Sequence, residues 1–223
     1  MRSRGVGGVV LTATVDIPSL PARLVSDWER EIRQHLELEP GYVEELPLPR
    51  ARVRWPEYGR CVKAATEWAH TLGLTDLLAT SDMALMVCRG ARYHHDGAQY
   101  GGSAFCNLFL GEDKGLDLHF PSTGQRIALC RGTLVIFDTC QPHAVIARGG
   151  NGFDAADFPA GLDCTLAFLT WELPIENASV AQALHICFDT DPSTALLLSQ
   201  GQVWRNGAPA SVCAGSGRWT DQG

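Results

Sequence analysis

Between Met83 and Trp171 the chain breaks into short apolar runs: Met83–Cys88, Ala104–Leu110, Ile127–Cys130, Thr133–Asp138, Ala144–Ala147 and Thr165–Trp171, each bounded by Gly, Pro, Asp or Asn. Runs this short, separated by turn residues, are too brief for helices and read as strands of an antiparallel sandwich or barrel. Gly111–Gly115 and Ser122–Gln125 read as hairpin loops between them. Two helices are expected upstream. Ser19 and Pro21 give a start signal, and Leu24, Trp28, Ile32 and Leu36 recur every four residues until Pro40. Cys61, Ala65, Trp68 and Leu72 then share a helical face that Gly73 closes. Beyond Trp171 the pattern fades into a mixed tail, rich in Gly and Ser near 207–217. The fold class is therefore mainly β with flanking α-helices. One domain is expected over 1–223: an N-terminal strand and supporting helices in 1–80, a β core in 83–172 and a C-terminal extension in 173–223.

Composition narrows the functional classes. At 223 residues and 45% apolar, the chain buries enough surface to fold without disulfide or metal staples. Eighteen Lys and Arg against twenty-five Asp and Glu leave a net charge of −7, which argues against nucleic acid or an anionic membrane as partner. The eight cysteines stand singly, with no CxxC pair, as buried thiols do in a reducing compartment. The opening Met1–Val15 stretch faintly echoes a secretory leader but reads equally well as a first strand. A cytoplasmic location without a membrane span is the expectation.

Chemistry concentrates at Tyr93-His94-His95-Asp96-Gly97. In an extended segment His94 and Asp96 fall on one face, and His95 points away. A further imidazole, His143, lies 47 residues beyond Asp96 at the start of another run, with enough strands and turns between to wind a sheet back on itself. Two imidazoles and one carboxylate on one face leave open positions on a six-coordinate ferrous ion. Zinc accepts the same ligand types, usually from a helix or compact loop, so the ligands permit either metal and the strand context favours iron. His119, in Asp117-Leu118-His119, is a rival ligand. Tyr93, Tyr100 and Asn107 are candidate pocket residues, and Cys106 and Cys140 read as inert core thiols.

Arg89-Gly90-Ala91-Arg92-Tyr93-His94-His95-Asp96, the strand Phe105–Leu110, and Gly132–Asp138 leading through Gln141-Pro142 to His143 together resemble the 2-oxoglutarate- and iron(II)-dependent oxygenase superfamily, in its prolyl-hydroxylase-like branch. The resemblance implies a double-stranded β-helix (jelly-roll, cupin-like) core and a single oxygenase domain. It implies Fe(II) held by His94, Asp96 and His143, with 2-oxoglutarate and O2 as co-substrates. Hydroxylation of a peptide, amino acid or small metabolite would accompany decarboxylation of 2-oxoglutarate to succinate. Two alternatives stand beside it: a cupin-like metal enzyme that does not use 2-oxoglutarate, and a non-catalytic binding protein on the same fold.

The pattern departs at one place. The superfamily anchors the far carboxylate of 2-oxoglutarate with a cation on the strand after the distal His, but Gly149 through Trp204 contains no Lys or Arg. That strand offers only Thr165 and Thr170 as polar residues. Arg148, five residues after His143, is the expected replacement, although an odd separation puts it on the opposite face of a regular strand. Arg92 and Arg126 are held in reserve.

Overall fold

The computed structural model describes residues 4–36, 38–47, 52–188, 197–199, 202–205 and 208–221. Helix α1 (Ala22–His35) turns Leu24 and Trp28 inward, and α2 (Tyr58–Thr71) does the same with Cys61, Ala65 and Ala69. The expected N-cap at Ser19 is not used. Pro21 occupies the cap position without a side-chain bond, its ring fixing the entry angle instead. Gly73 does follow α2 with φ +76°.

In chain order the strands are β1 (Leu11–Thr14), β2 (Val43–Leu46), β3 (Met83–Cys88), β4 (Ala91–His94), β5 (Ser103–Phe109), β6 (Leu116–Phe120), β7 (Gln125–Ala128), β8 (Thr133–Asp138), β9 (His143–Ala147) and β10 (Leu166–Pro174). A further set, β11 (Leu197–Ser199), β12 (Gln202–Arg205), β13 (Ala208–Val212) and β14 (Trp219–Asp221), forms a meander in the C-terminal region. The first ten divide into a six-stranded sheet, β1-β8-β5-β10-β3-β2, and a four-stranded sheet, β4-β9-β6-β7. From β3 to β10 the chain passes repeatedly from one sheet to the other and pairs antiparallel throughout. This winding is the double-stranded β-helix. Ser122–Gln125 spans the β6–β7 hairpin as expected. Gly111–Gly115 is no hairpin, because it carries the chain from β5 in the large sheet to β6 in the small one.

Strand alternation builds two cores. Ala104, Cys106 and Leu108 of β5, Leu134 and Ile136 of β8, and Leu169, Trp171 and Leu173 of β10 face out of the large sheet and bury against the two helices. The alternate residues, Phe109, Val135, Phe137, Leu166 and Phe168, pack between the sheets with Leu116, Leu118, Phe120, Ile127 and Val145 of the small one. Each fully buried Leu or Phe contributes about 2 kcal/mol of transfer free energy, which holds the two sheets in register. Among the described residues no helix is long and apolar enough to cross a membrane.

Candidate metal centre

β4 and β9 place the two imidazoles. Ala91 pairs with Val145 and His94 with His143, so three steps on β4 match two on β9 and the register shifts between them. An extra residue of this kind bends the strand and re-aims its side chains. It lets His94 face His143, whereas strict alternation from Ala91 would turn it away. The rings lie 4.4 Å apart between centroids. Asp96 does not continue the strand. It caps the helical turn Gly97–Tyr100 with φ −97° and ψ 8°, and the Tyr100 N–H donates to its carbonyl at 2.7 Å. That bridge conformation swings its carboxylate back toward both rings.

One donor atom from each of His94, Asp96 and His143 lies within 4.8 Å of the others. The Asp96 carboxylate stands 3.5 Å from His94 Nε2 and 3.5 Å from His143 Nε2. On the far side of each ring, His94 Nδ1 sits 2.6 Å from the Arg92 carbonyl and His143 Nδ1 sits 2.9 Å from the Gln141 carbonyl. A carbonyl oxygen only accepts, so Nδ1 carries the proton in both rings and the Nε2 lone pairs turn to the shared point. Burial, reinforced by the neighbouring His94, pushes the His143 imidazole down to about 4, keeping it neutral. Phe137 lies 4.7 Å from the His143 ring and Phe120 lies 6.1 Å away. These two aromatics form its apolar wall.

His95 turns away, as alternation requires. Its ring rests against Trp219 at 5.2 Å and its Nε2 meets the Ala210 carbonyl at 3.3 Å, tying β4 to the C-terminal meander. His119 is not a ligand: it lies on the outer face of the small sheet, 2.5 Å from the Tyr93 hydroxyl. Tyr93 is therefore also outside. Tyr100 stands at the mouth, its ring 5.0 Å from Phe105. Burial first, then Glu172, Asp96 and Glu45, raise the Tyr100 hydroxyl above its usual range. Cys106 and Cys140 are buried thiols.

The expected anchor Arg148 requires a correction. β9 runs in unbroken register against β6, so Arg148 shares parity with Ala144 and Ile146 on the outer face. Its guanidinium forks onto Asp113 at 2.8 and 2.9 Å and meets Asp117 at 2.9 Å. The reserves also lie outside. Arg92 covers the Tyr42 ring and hydrogen-bonds its hydroxyl, and Arg126 donates to the Gly150 carbonyl. Thr165, the other polar residue named on that run, precedes β10. Among the described residues, no Lys or Arg is placed on the inner face of the large sheet.

The network holding the loop before His143 has no clear signature in the sequence. Arg4 pairs with Asp138 and donates to the Gly101 carbonyl at 2.9 Å; Arg4 is 2% exposed and Asp138 0%. A charged residue near the chain start ordinarily reads as solvated, and only its distant carboxylate partner gives it a buried role.

No protein-family model matches the chain, and neither does any curated protein. Solved structures do. A prolyl-4-hydroxylase from Pseudomonas putida is 18% identical over 74% of this chain and 92% of its own, with TM-score 0.40. EvdO2 from Micromonospora carbonacea var. aurantiaca is 12% identical over 77% and 87%, with TM-score 0.44. The viral collagen prolyl hydroxylase vCPH from Paramecium Bursaria Chlorella virus-1, solved as a 2OG complex, is 10% identical over 73% and 94%, with TM-score 0.38.

Proposed function

We propose that this chain is an Fe(II)-dependent oxygenase that uses a 2-oxo acid with O2 to hydroxylate a small-molecule or peptide substrate. The observation that carries the reading is the convergence of two Nε2 lone pairs and one carboxylate at the mouth of the jelly roll, with both Nδ1 protons committed to backbone carbonyls. Three mixed nitrogen and oxygen donors on one side fit a divalent metal and suit ferrous iron. Bound there, iron would supply a site for joint co-substrate and O2 binding. His94, Asp96 and His143 hold it. Phe120 and Phe137 keep water from the buried side, and the outer hydrogen bonds fix the ring orientations.

2-Oxoglutarate is the co-substrate that the family resemblance implies. Its keto-acid end needs only the metal. Its second carboxylate needs a cation to offset desolvation, and among the described residues none stands on the inner face of the large sheet, the buried Arg4 being paired with Asp138 on the helix-facing side. The same observation favours the alternative of a cupin-like metal enzyme that does not use 2-oxoglutarate.

The test is direct. Calorimetric titration with Mn(II) should give stoichiometric binding that is lost in His94→Ala, Asp96→Ala and His143→Ala proteins of native-like thermal unfolding. Fe(II)-dependent O2 uptake should then rise on adding a 2-oxo acid. Absence of stoichiometric metal binding removes this function.

A further inference from the structure

The inner face of the large sheet carries its own ligand chemistry. Asn107 shares a face with Phe105 and Phe109 on β5, and Thr170 with Phe168 on β10, so both point between the sheets. They are cross-strand partners, and the Thr170 hydroxyl donates to the Asn107 side-chain oxygen. Asn107 is 7% exposed and Thr170 8%. Among the described residues, the Asn107 amide nitrogen has no hydrogen-bond partner. With the Thr170 hydroxyl on its oxygen, the amide keeps both donor hydrogens for an acceptor entering between the sheets, and its nitrogen is not among the fully buried atoms without a partner, so it stays reachable.

The location is informative. Phe105 pairs with Phe137, which touches His143, so this row stands at the level of the candidate metal. Asn107 and Thr170 lie two residues deeper, about 7 Å along the strands. Beyond them Phe109 and Phe168, 5.0 Å apart, close the floor. Glu172 shares the face of Thr170 on the metal side, and its carboxyl is raised by burial and by Asp82. Arg4, the buried cation beside the site, pairs with Asp138, which shares the helix-facing parity of Leu134 and Ile136. A second carboxylate placed at Asn107 would be desolvated against aromatic rings, near Glu172, with no facing cation among the described residues.

We propose that Asn107 and Thr170 hold the far end of the 2-oxo acid, and that this end is uncharged: the pocket selects a 2-oxo monoacid, favouring one with a terminal hydrogen-bond acceptor, over the dicarboxylate. The proposal rests on the metal reading above and deepens it. The Asn107 amide donates to the acceptor, Thr170 holds the amide plane, and Phe109 with Phe168 covers the chain end.

The test is calorimetric titration of the Mn(II)-loaded protein, without oxygen or turnover, using 2-oxoglutarate, its 5-methyl ester and 2-oxopentanoate. The ester should bind at least tenfold tighter than the diacid and severalfold tighter than 2-oxopentanoate. Asn107→Leu should erase the ester's advantage over 2-oxopentanoate, and Thr170→Arg should shift preference toward the diacid. Diacid binding as tight as the ester overturns the proposal in the wild-type protein alone, whatever the variants do. Binding of none of the three acids overturns it and leaves the metal site standing. Failure to bind Mn(II) overturns the metal reading and this proposal together.

Discussion

The backbone N–H of Asp96 donates to the carbonyl of Thr139 at 2.8 Å, joining the segment that follows one imidazole to the loop that precedes the other. The Thr139 hydroxyl completes the lacing, lying 2.7 Å from the Tyr100 carbonyl and 2.8 Å from that of Ser103. Thr139→Val keeps the shape and removes that hydroxyl from a fully buried position. The expected result is a loss of about 1–3 kcal/mol in urea unfolding. Mn(II) affinity should fall by about tenfold, as when outer partners of metal ligands are removed. Unchanged metal affinity would show that Thr139 does not position the ligands.

Arg4 acts at longer range. Its partner Asp138 also accepts the N–H of Gly7 at 2.7 Å and that of Cys140 at 3.0 Å. Arg4→Met leaves the carboxylate buried without its cation, a change that costs about 3–5 kcal/mol. Adding Asp138→Leu should recover part of that loss, because two backbone donors still lack their acceptor. A double variant no more stable than Arg4→Met would count against the charge argument. Equilibrium urea unfolding of both variants decides it.

The β core was legible because β5, β8 and β10 are apolar runs closed by turn residues, a signal that depends on local pattern alone. His94, Asp96 and His143 were legible as residues to bring together, but not the means. The extra residue in β4 and the turn at Asp96 place the donors, where alternation suggested a plain strand. β6 escaped notice, and β4 was legible only as the extended stretch around His94 and not back to Ala91, because Asp117 and Arg92 interrupt their apolar character, each paired on the outer face with a group distant in sequence. Arg148 shows the converse. Its neighbourhood in the sequence suggested an anchor, while its separation from His143 already implied the outer face that it takes. β11–β14 left no clear pattern, because their strands are short and Gly interrupts the segment.

The His143 imidazole gives the metal-free protein a pH dependence. Its folded value is pushed from 6.5 to about 4, first by burial and then by His94. As pH falls below 6.5 the unfolded chain takes up a proton that the folded chain refuses, so stability declines from there and the loss is complete near pH 4. The full contribution is about 3 kcal/mol. Urea unfolding of the metal-free protein between neutral and mildly acid pH should show the decline, and His143→Gln should flatten it. Equal slopes in the two proteins would assign the acid sensitivity elsewhere.

Gly132 holds the turn into β8 with φ +85°, and a Cβ there would stand 2.0 Å from the Val15 carbonyl oxygen. Val15 also donates its N–H to the Gly132 carbonyl at 2.9 Å, so the two backbones cannot separate without losing that bond. Gly132→Ala should therefore cost at least about 2 kcal/mol. Because this turn lies at the end of β8 remote from Asp138, Mn(II) affinity should stay within twofold of wild type. A stability loss with a parallel loss of metal affinity would mean that the two ends of β8 are coupled.

Thiol reactivity reads the order of the same loop without any metal. Burial pushes Cys88 up to about 12, Cys140 up to about 12 and Cys61 up to about 11. Cys187 and Cys213 are exposed, and hydrogen bonding from Ser216 lowers Cys213 below the usual thiol range. Since the thiolate is the nucleophile, iodoacetamide at mildly alkaline pH should modify Cys213 first and Cys187 next, leaving Cys61, Cys88, Cys106 and Cys140 intact until the protein unfolds. Peptide mapping by mass spectrometry follows each site. Cys140 is the informative one, because it lies between Asp138, which the Arg4 pair fixes, and Gln141, whose carbonyl orients His143. In Arg4→Met its labelling should accelerate at least tenfold over wild type under native conditions, while Cys88 stays protected. Equal protection of Cys140 in the two proteins would show that the loop keeps its place without Arg4.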